Sequence, residues 1–315
     1  MKVKPNLYII GAAKSGTTSL YKYLNQHPDV YFSPIKEPNY FSDDIDVSKF
    51  TSTYKSNTYL ELEKYFKKSN LRDLPITFIR KEEHYERLFE NSGKHKIRGE
   101  ASTSYMFSNK AAKNIYRFNS EAKIVAILRN PMERAFSHYE MALRYGHTKL
   151  NFKKAIIEDL NKTQKGWGIS ELFIELGLYY DQLKRYFDIF PRDQIQILWF
   201  DDLKSNPKGM IDTCCKFLEI ETMNLEDETA YNTKKSPESI GLNYFLTISG
   251  VKSFLRRLLP ASAKNGLSQI FYKDSIAKLS KADFEFVRDY YQEDIEKTAR
   301  LLKKDLSHWL YYDKY

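Results

Sequence analysis

Eight residues, Gly11-Ala12-Ala13-Lys14-Ser15-Gly16-Thr17-Thr18, have the composition and spacing to cradle an anion. They follow the apolar run Leu7-Tyr8-Ile9-Ile10, and a helix is expected to begin near Thr17. In a strand–turn–helix of this kind, backbone N–H groups and the positive end of the helix dipole face the ligand. The nucleotide pattern G-x-x-x-x-G-K-[ST] places a lysine after the second glycine. Here Thr17 takes that position and Lys14 lies inside the loop. The ammonium therefore approaches from another direction, which points to a phosphate-like ligand other than the β,γ-phosphates of ATP.

A second anion site is readable at Ile124-Val125-Ala126-Ile127-Leu128-Arg129-Asn130-Pro131, followed by Arg134 and Ser137. Arg129 stands at the end of a buried strand, and Ser137 falls two turns into the next helix. A guanidinium fork plus a hydroxyl suits a terminal phosphate. Taken alone, the same residues fit an arginine paired with a carboxylate and a small packing serine. A third segment, Ser33-Pro34-Ile35-Lys36-Glu37-Pro38-Asn39-Tyr40-Phe41, offers a carboxylate for proton transfer. Pro38 biases Glu37 toward an extended conformation. By itself Glu37 reads sooner as a solvated loop glutamate paired with Lys36.

Together the pieces resemble the sulfotransferases that use 3′-phosphoadenosine 5′-phosphosulfate (PAPS), most nearly their bacterial and heparan-sulfate-like carbohydrate branch. Leu128-Arg129-Asn130-Pro131-x-x-Arg134-Ala135-x-Ser137-x-Tyr139 is similar to that family's 3′-phosphate motif, and Gly11–Thr18 to its 5′-phosphosulfate loop. The resemblance implies that Arg129 and Ser137 hold the 3′-phosphate. It implies that Lys14, Gly16, Thr17 and Thr18, with Ser15 and Ser19 beside them, hold the phosphosulfate. Glu37 would be the general base and Lys14 the group that stabilises the leaving oxygen. Arg98-Gly99-Glu100-Ala101-Ser102-Thr103-Ser104-Tyr105 is similar to a strand end lining the acceptor site, so Glu100 and Ser102 are expected to contact the acceptor. A lysine that some glycan enzymes carry there is Ala101 here. Histidines that assist some heparan-sulfate-like members are replaced by Met141 and Tyr145, and His138 is expected to be a packing or surface residue. Lys234 and Lys235 fall where related enzymes place a basic loop over the nucleotide, although a solvated turn explains them almost as well.

These residues need a scaffold. Strands are expected at Leu7–Ile10, Val30–Phe32, Lys96–Gly99, Lys123–Leu128 and Gln194–Phe200, the last two reading as parallel strands covered on both faces. Helices are expected at Thr17–Asn25, Tyr59–Lys67, Glu82–Glu90, Pro131 to about Tyr145, Ser170–Phe190, Pro207–Leu218 and Lys281–Lys304. The alternation implies an α/β fold: a three-layer, P-loop-like arrangement with a central, doubly wound parallel sheet flanked by helices. Ligands then bind beyond the carboxyl ends of the strands.

The 315 residues are read as a single domain, since no repeat or linker divides them. Residues 242–278 are a possible lid or acceptor-side insertion. They include the basic, apolar stretch Lys252–Pro260, which leaves peripheral membrane contact open beside a packed surface helix. No stretch is long and apolar enough to span a bilayer, and the first strand follows Met1 too soon for a signal peptide. The neighbouring Cys214 and Cys215 read as buried thiols, so a cytoplasmic setting is expected. A net charge of +9 suits an anionic ligand without calling for nucleic acid. No His, Cys and carboxylate cluster has metal-ligand spacing, so catalysis is expected to need no metal.

The expected activity is sulfuryl transfer from PAPS to an acceptor hydroxyl, of a carbohydrate or glycolipid. Two alternatives stay open on the sequence. One is an ATP–Mg kinase, with Ile195–Phe200 and Asp201-Asp202 imitating a magnesium-binding strand end. The other is a non-catalytic binder of anionic polymers on the same fold. The 24 tyrosines and 20 phenylalanines include candidates for stacking on sugar rings, but most must build the core.

Overall fold

The apolar runs pair into one parallel sheet. The computed structural model describes residues 4–225, 235–249, 251, 272–274 and 277–312. Seven strands precede residue 200: β1 (Leu7–Gly11), β2 (Val30–Phe32), β3 (Ile35–Glu37), β4 (Leu74–Ile76), β5 (Ile97–Glu100), β6 (Lys123–Leu128) and β7 (Ile195–Trp199). Five form the main sheet in the order β2-β5-β1-β6-β7, every neighbour parallel. These are the five strands expected from the sequence. β3 and β4 form a separate two-stranded parallel ladder that the sequence pattern did not reveal.

Contacts divide the chain into two compact units. The first comprises Met1–Ser48, Thr58–Arg129 and Tyr179–Tyr231, and holds both parallel ladders. β1 is buried along its whole length, and so is β6 apart from Lys123, as central strands covered on both faces must be. Leu7, Ile9, Val125 and Ile127 pack with Leu20 and Leu24 of the helix Thr17–Leu24 and with Ile211, Cys214 and Leu218 of the helix Pro207–Leu218. Each such side chain contributes about 1.5–3 kcal/mol through its burial. Asn206 caps the second of these helices, its side chain accepting from the Gly209 N–H at 2.9 Å, with Pro207 in the first turn. Cys214 and Cys215 are buried free thiols, and burial pushes the Cys215 thiol up to about 11.

The second unit comprises Lys49–Asn57, Asn130–Leu178 and Asn232–Tyr315. Its helix Pro131–Tyr145 matches the expected bounds because its ends are chemically marked. Asn130 accepts from the Met132 N–H at 3.0 Å, and Gly146 ends the helix in the left-handed region at φ 73°. The helix Lys281–Leu302, capped by Ser280, turns Phe284, Val287, Tyr291 and Ile295 inward. β8 (Lys235–Pro237) and β9 (Tyr272–Asp274) form an antiparallel ladder, and the helix Ile240–Ile248 follows β8. The possible lid at 242–278 lies largely outside the described residues, which resume only for β9 and after 276.

One expected helix is corrected. Ser170–Phe190 is not continuous: Leu172 adopts φ 55°, a 3-10 turn covers Glu175–Gly177, and the helix proper runs from Tyr179 to Phe187. The apolar spacing continued through 170–178, but those side chains serve tertiary contacts. The Tyr291 hydroxyl donates to the Phe173 carbonyl at 3.0 Å, and a Cβ on Gly177 would come within 2.9 Å of the Tyr291 ring.

Candidate active site

Because the main sheet is parallel, the carboxyl ends of β1, β5, β6 and β7 open at one edge of the first unit. The segments leaving that edge are Gly11–Thr18, Ala101–Tyr105, Arg129 and Phe200. This is where an open α/β sheet offers a ligand its crevice.

The loop after β1 is anchored by the Ala12 N–H donating to the Ile127 carbonyl at 2.9 Å, and tightened by the Ser15 N–H donating to Ala12 at 3.2 Å. Lys14 sits at φ 68° and Gly16 at φ 93°, so the chain passes the left-handed region twice within three residues. At Gly16 only glycine fits, since an added Cβ would lie 2.6 Å from Leu203 Cδ2 and 3.0 Å from the Phe200 ring. No side chain caps the helix that starts at Thr17, and its first turn holds no acidic residue. Ser15 is fully buried, and its hydroxyl has no hydrogen-bond partner among the described residues. Thr17 and Ser19 are buried and Thr18 is half-buried. A turn with an orphaned buried hydroxyl and an uncapped, acid-free helix start is built to receive an anion.

Arg129 follows β6. Its guanidinium lies over the Phe200 ring, 4.4 Å from the centroid, and its carbonyl accepts from the Tyr179 hydroxyl at 2.9 Å. Phe200 thus touches both Gly16 and Arg129, fixing the anion loop and the arginine against one ring. Its signal in the sequence was hidden, because Phe200 reads as the end of an apolar strand. Ser137 belongs to the second unit, on the helix Pro131–Tyr145. Lys234 lies outside the described residues. Lys235 begins β8, and its side chain lies outside the described ones.

Glu37 ends β3, which pairs with β4 through Glu37 and Ile76 and is tied to β5 by the Ala101 N–H donating to the Lys36 carbonyl at 2.9 Å. The Glu37 side chain is 15% exposed. Lys36 Nζ lies 2.7 Å from Oε1, while Thr103 reaches Oε2 with its hydroxyl at 2.9 Å and its N–H at 3.3 Å. The carboxylate is aimed rather than loose. Thr103 was not singled out in the sequence, where it is one hydroxyl in a run of Ser and Thr. Asn39 turns the chain after Pro38 at φ 50°, a conformation asparagine tolerates, and its side-chain amide donates to the carbonyls of Glu37 and Thr77 at 2.9 and 2.7 Å.

Glu100 and Ser102, expected at the acceptor, have no exposed surface. Glu100 instead accepts from Ser102 at 2.6 Å, Tyr85 at 2.5 Å and Tyr105 at 2.9 Å, and Ser102 accepts from the Asn39 N–H at 3.0 Å. Desolvation pushes the Glu100 carboxyl up to about 7, against the lowering effect of those hydroxyl donors and with a further raising contribution from Glu37. The pair forms the buried frame on which Asn39 and Thr103 stand.

The strand end read as a possible magnesium site lies at the sheet edge. β7 is the edge strand of the sheet, and Asp201, on the short helix after it, is half-exposed and pairs with Lys204 at 3.0 Å. In the second unit His138 is buried beside the Phe173 ring, with Glu171 3.5 Å from its Nε2, and His147 lies 2.8 Å from the same carboxylate. Burial works to raise the Glu171 carboxyl, yet the two histidines outweigh it and hold it well below the usual range. His138 is thus a packing residue within a buried cluster.

A family model described as the sulfotransferase domain matches residues 4–298. Mouse carbohydrate sulfotransferase 15 is 27% identical over 275 residues, covering 76% of this chain and 47% of its own. Mouse bifunctional heparan sulfate N-deacetylase/N-sulfotransferase 1 is 25% identical over 326 residues, covering 98% of this chain and 31% of its own. The chain therefore spans half or less of these curated relatives. A crystal structure of a sulfotransferase from Alicyclobacillus acidocaldarius is similar throughout, with a TM-score of 0.69, 26% identity, and coverage of 98% and 99% of the two chains.

Proposed function

The chain belongs to the sulfotransferase domain family, and from that premise we propose that it moves the sulfuryl group of PAPS to a hydroxyl of a carbohydrate acceptor, with Glu37 as general base. The observation that carries this reading is the aimed carboxylate: Glu37 is held by Thr103 and Lys36 in the unit that also carries the anion loop and Arg129.

The residues fit the donor. The loop Gly11–Thr18 offers an uncapped helix start, a buried unpartnered hydroxyl at Ser15 and the ammonium of Lys14 to a phosphosulfate. Arg129, steadied on Phe200, suits the 3′-phosphate; the family resemblance carries the same role to Ser137 and a nucleotide-covering role to Lys234 and Lys235. When bound, PAPS supplies an activated sulfuryl group on a phosphate leaving group. Glu37 takes the acceptor's proton as the acceptor oxygen bonds to sulfur. Lys14 balances the negative charge gathering on the bridging oxygen as the sulfur–oxygen bond to phosphate breaks, leaving 3′,5′-diphosphoadenosine. Glu100 and Ser102 act at one remove, by holding the segments that carry Asn39 and Thr103. Carbohydrate as acceptor rests on the names of the curated relatives. The match to the sulfotransferase domain over residues 4–298 favours this reading over a magnesium-dependent kinase.

Sulfur-labelled PAPS incubated with carbohydrate, glycolipid and small hydroxyl acceptors, with the products identified by mass spectrometry, tests the proposal. Label on a carbohydrate hydroxyl supports it. Transfer only from ATP, or hydrolysis of PAPS without transfer to any acceptor, refutes it.

A further inference from the structure

Tyr40 lies three residues beyond Glu37, and its ring lies flat on that of Tyr85, centroids 4.3 Å apart and planes 11° apart. Tyr85 is fully buried, so one face of Tyr40 is covered from inside. Tyr40 is itself half-buried and lines a cavity of about 400 Å³. Phe41 stands edge-on to it, and Phe118 shares the lining. The platform is pinned through the backbone, because the Tyr40 and Phe41 N–H groups both donate to the Tyr105 hydroxyl, at 3.0 and 3.3 Å. An aromatic surface fixed beforehand loses little freedom when a ligand arrives.

The rim is polar and mixed in sign. Asn114 donates to the Phe41 carbonyl and to Asp43, both at 3.0 Å, and Glu82 adds a second carboxylate. The Arg80 guanidinium donates to four backbone carbonyls, those of Asn39, Ile79, Ser42 and Ile45, and is a fixed positive charge. Arg117, exposed on the helix Ala111–Phe118, makes no ion pair or side-chain hydrogen bond among the described residues. The cavity falls within the size of small-ligand sites, roughly 300–1,000 Å³.

We propose that this cleft is a carbohydrate subsite, in which a sugar ring of the acceptor stacks on Tyr40 while its hydroxyls bond to the rim. A sugar has what the lining requires: an apolar C–H face for the ring, and hydroxyls that donate to Asp43 and Glu82 and accept from Arg117. A purely apolar ligand would desolvate four charged groups without compensation, and a polyphosphate would meet two carboxylates. The subsite rests on the carbohydrate reading of the acceptor and names where part of that acceptor is held.

Calorimetric titration of the full chain with an unsulfated hexosamine–uronate hexasaccharide, in the absence of donor, tests it. Wild type is expected to bind saturably. Tyr40→Ala should bind at least about tenfold more weakly and Tyr40→Phe within about twofold of wild type. Arg117→Gln changes an exposed, unpaired side chain, so its melting temperature should hold while affinity falls about three- to tenfold. Equal affinity of wild type, Tyr40→Ala and Arg117→Gln, or no saturable binding by wild type, overturns the subsite. Failure of the transfer reading looks different: the hexasaccharide binds and Tyr40→Ala weakens it, yet PAPS yields no sulfated product.

Discussion

Thr103→Val removes one hydroxyl and keeps the volume and branching of the side chain. Thr103 is almost buried, and its hydroxyl meets Glu37 Oε2 at 2.9 Å. Two restraints on that carboxylate survive the change: the Thr103 N–H at 3.3 Å and Lys36 on the other oxygen at 2.7 Å. A hydrogen bond to a charged group is worth about 1.5–3 kcal/mol. With the remaining contacts in place the lower end applies, and about 1.5 kcal/mol in the barrier is roughly a tenfold loss of kcat. Steady-state sulfation at saturating donor measures it, and 3′,5′-diphosphoadenosine affinity should stay unchanged. Because Thr103 acts through Glu37, the loss should vanish on a Glu37→Gln background, giving a coupling energy of about 1.5 kcal/mol. Thr103→Ser should restore most of the rate. A tenfold loss that persists without the Glu37 carboxylate would make Thr103 a packing residue only, and full activity in Thr103→Val would refute the aiming argument altogether.

Arg129→Ala should weaken 3′,5′-diphosphoadenosine by about 1.5–3 kcal/mol in calorimetry, the scale of a charge-assisted contact. Phe200→Leu, which leaves the guanidinium without its ring, should cost the same ligand about 0.5–2 kcal/mol, and unaltered affinity would exclude Phe200 as a positioning residue. Glu100 gives the fold a pH dependence. Its carboxyl is raised from 4.5 to about 7, so the folded chain holds the proton more tightly than the unfolded one. The contribution is present in full below about pH 4.5 and is lost as pH rises through 7, about 3 kcal/mol in all. Urea midpoints at pH 5 and 8 should differ more in wild type than in Glu100→Gln, and equal differences would count against a protonated Glu100.

The main sheet and the anion loop were legible because their signals are local. β1 and β6 are apolar throughout, and Gly11, Gly16 and Pro131 mark turns and helix starts within a few residues. β3 and β4 were not legible, since three-residue strands pair across 36 intervening positions with no periodicity of their own. Glu100 reads as a polar strand end, and only the fold brings Tyr85 and Tyr105 to the same carboxylate. Arg134, part of the second anion motif in the sequence, is likewise fully buried and donates to the Phe173 carbonyl, a partner distant in sequence. Chemistry carried by short motifs was readable, while burial of charge depended on partners distant in sequence.

The most direct measurement is the turnover of Glu37→Gln at saturating PAPS, beside its affinity for 3′,5′-diphosphoadenosine. Removing an acid–base group from an otherwise intact site should lower the rate by about two to four orders of magnitude and leave nucleotide affinity unchanged. Lys14→Ala, by contrast, should lose both rate and affinity, because its ammonium lies in the anion loop. A Glu37→Gln enzyme that sulfates its acceptor at nearly the wild-type rate would contradict the assignment of the base, and with it the account of this site.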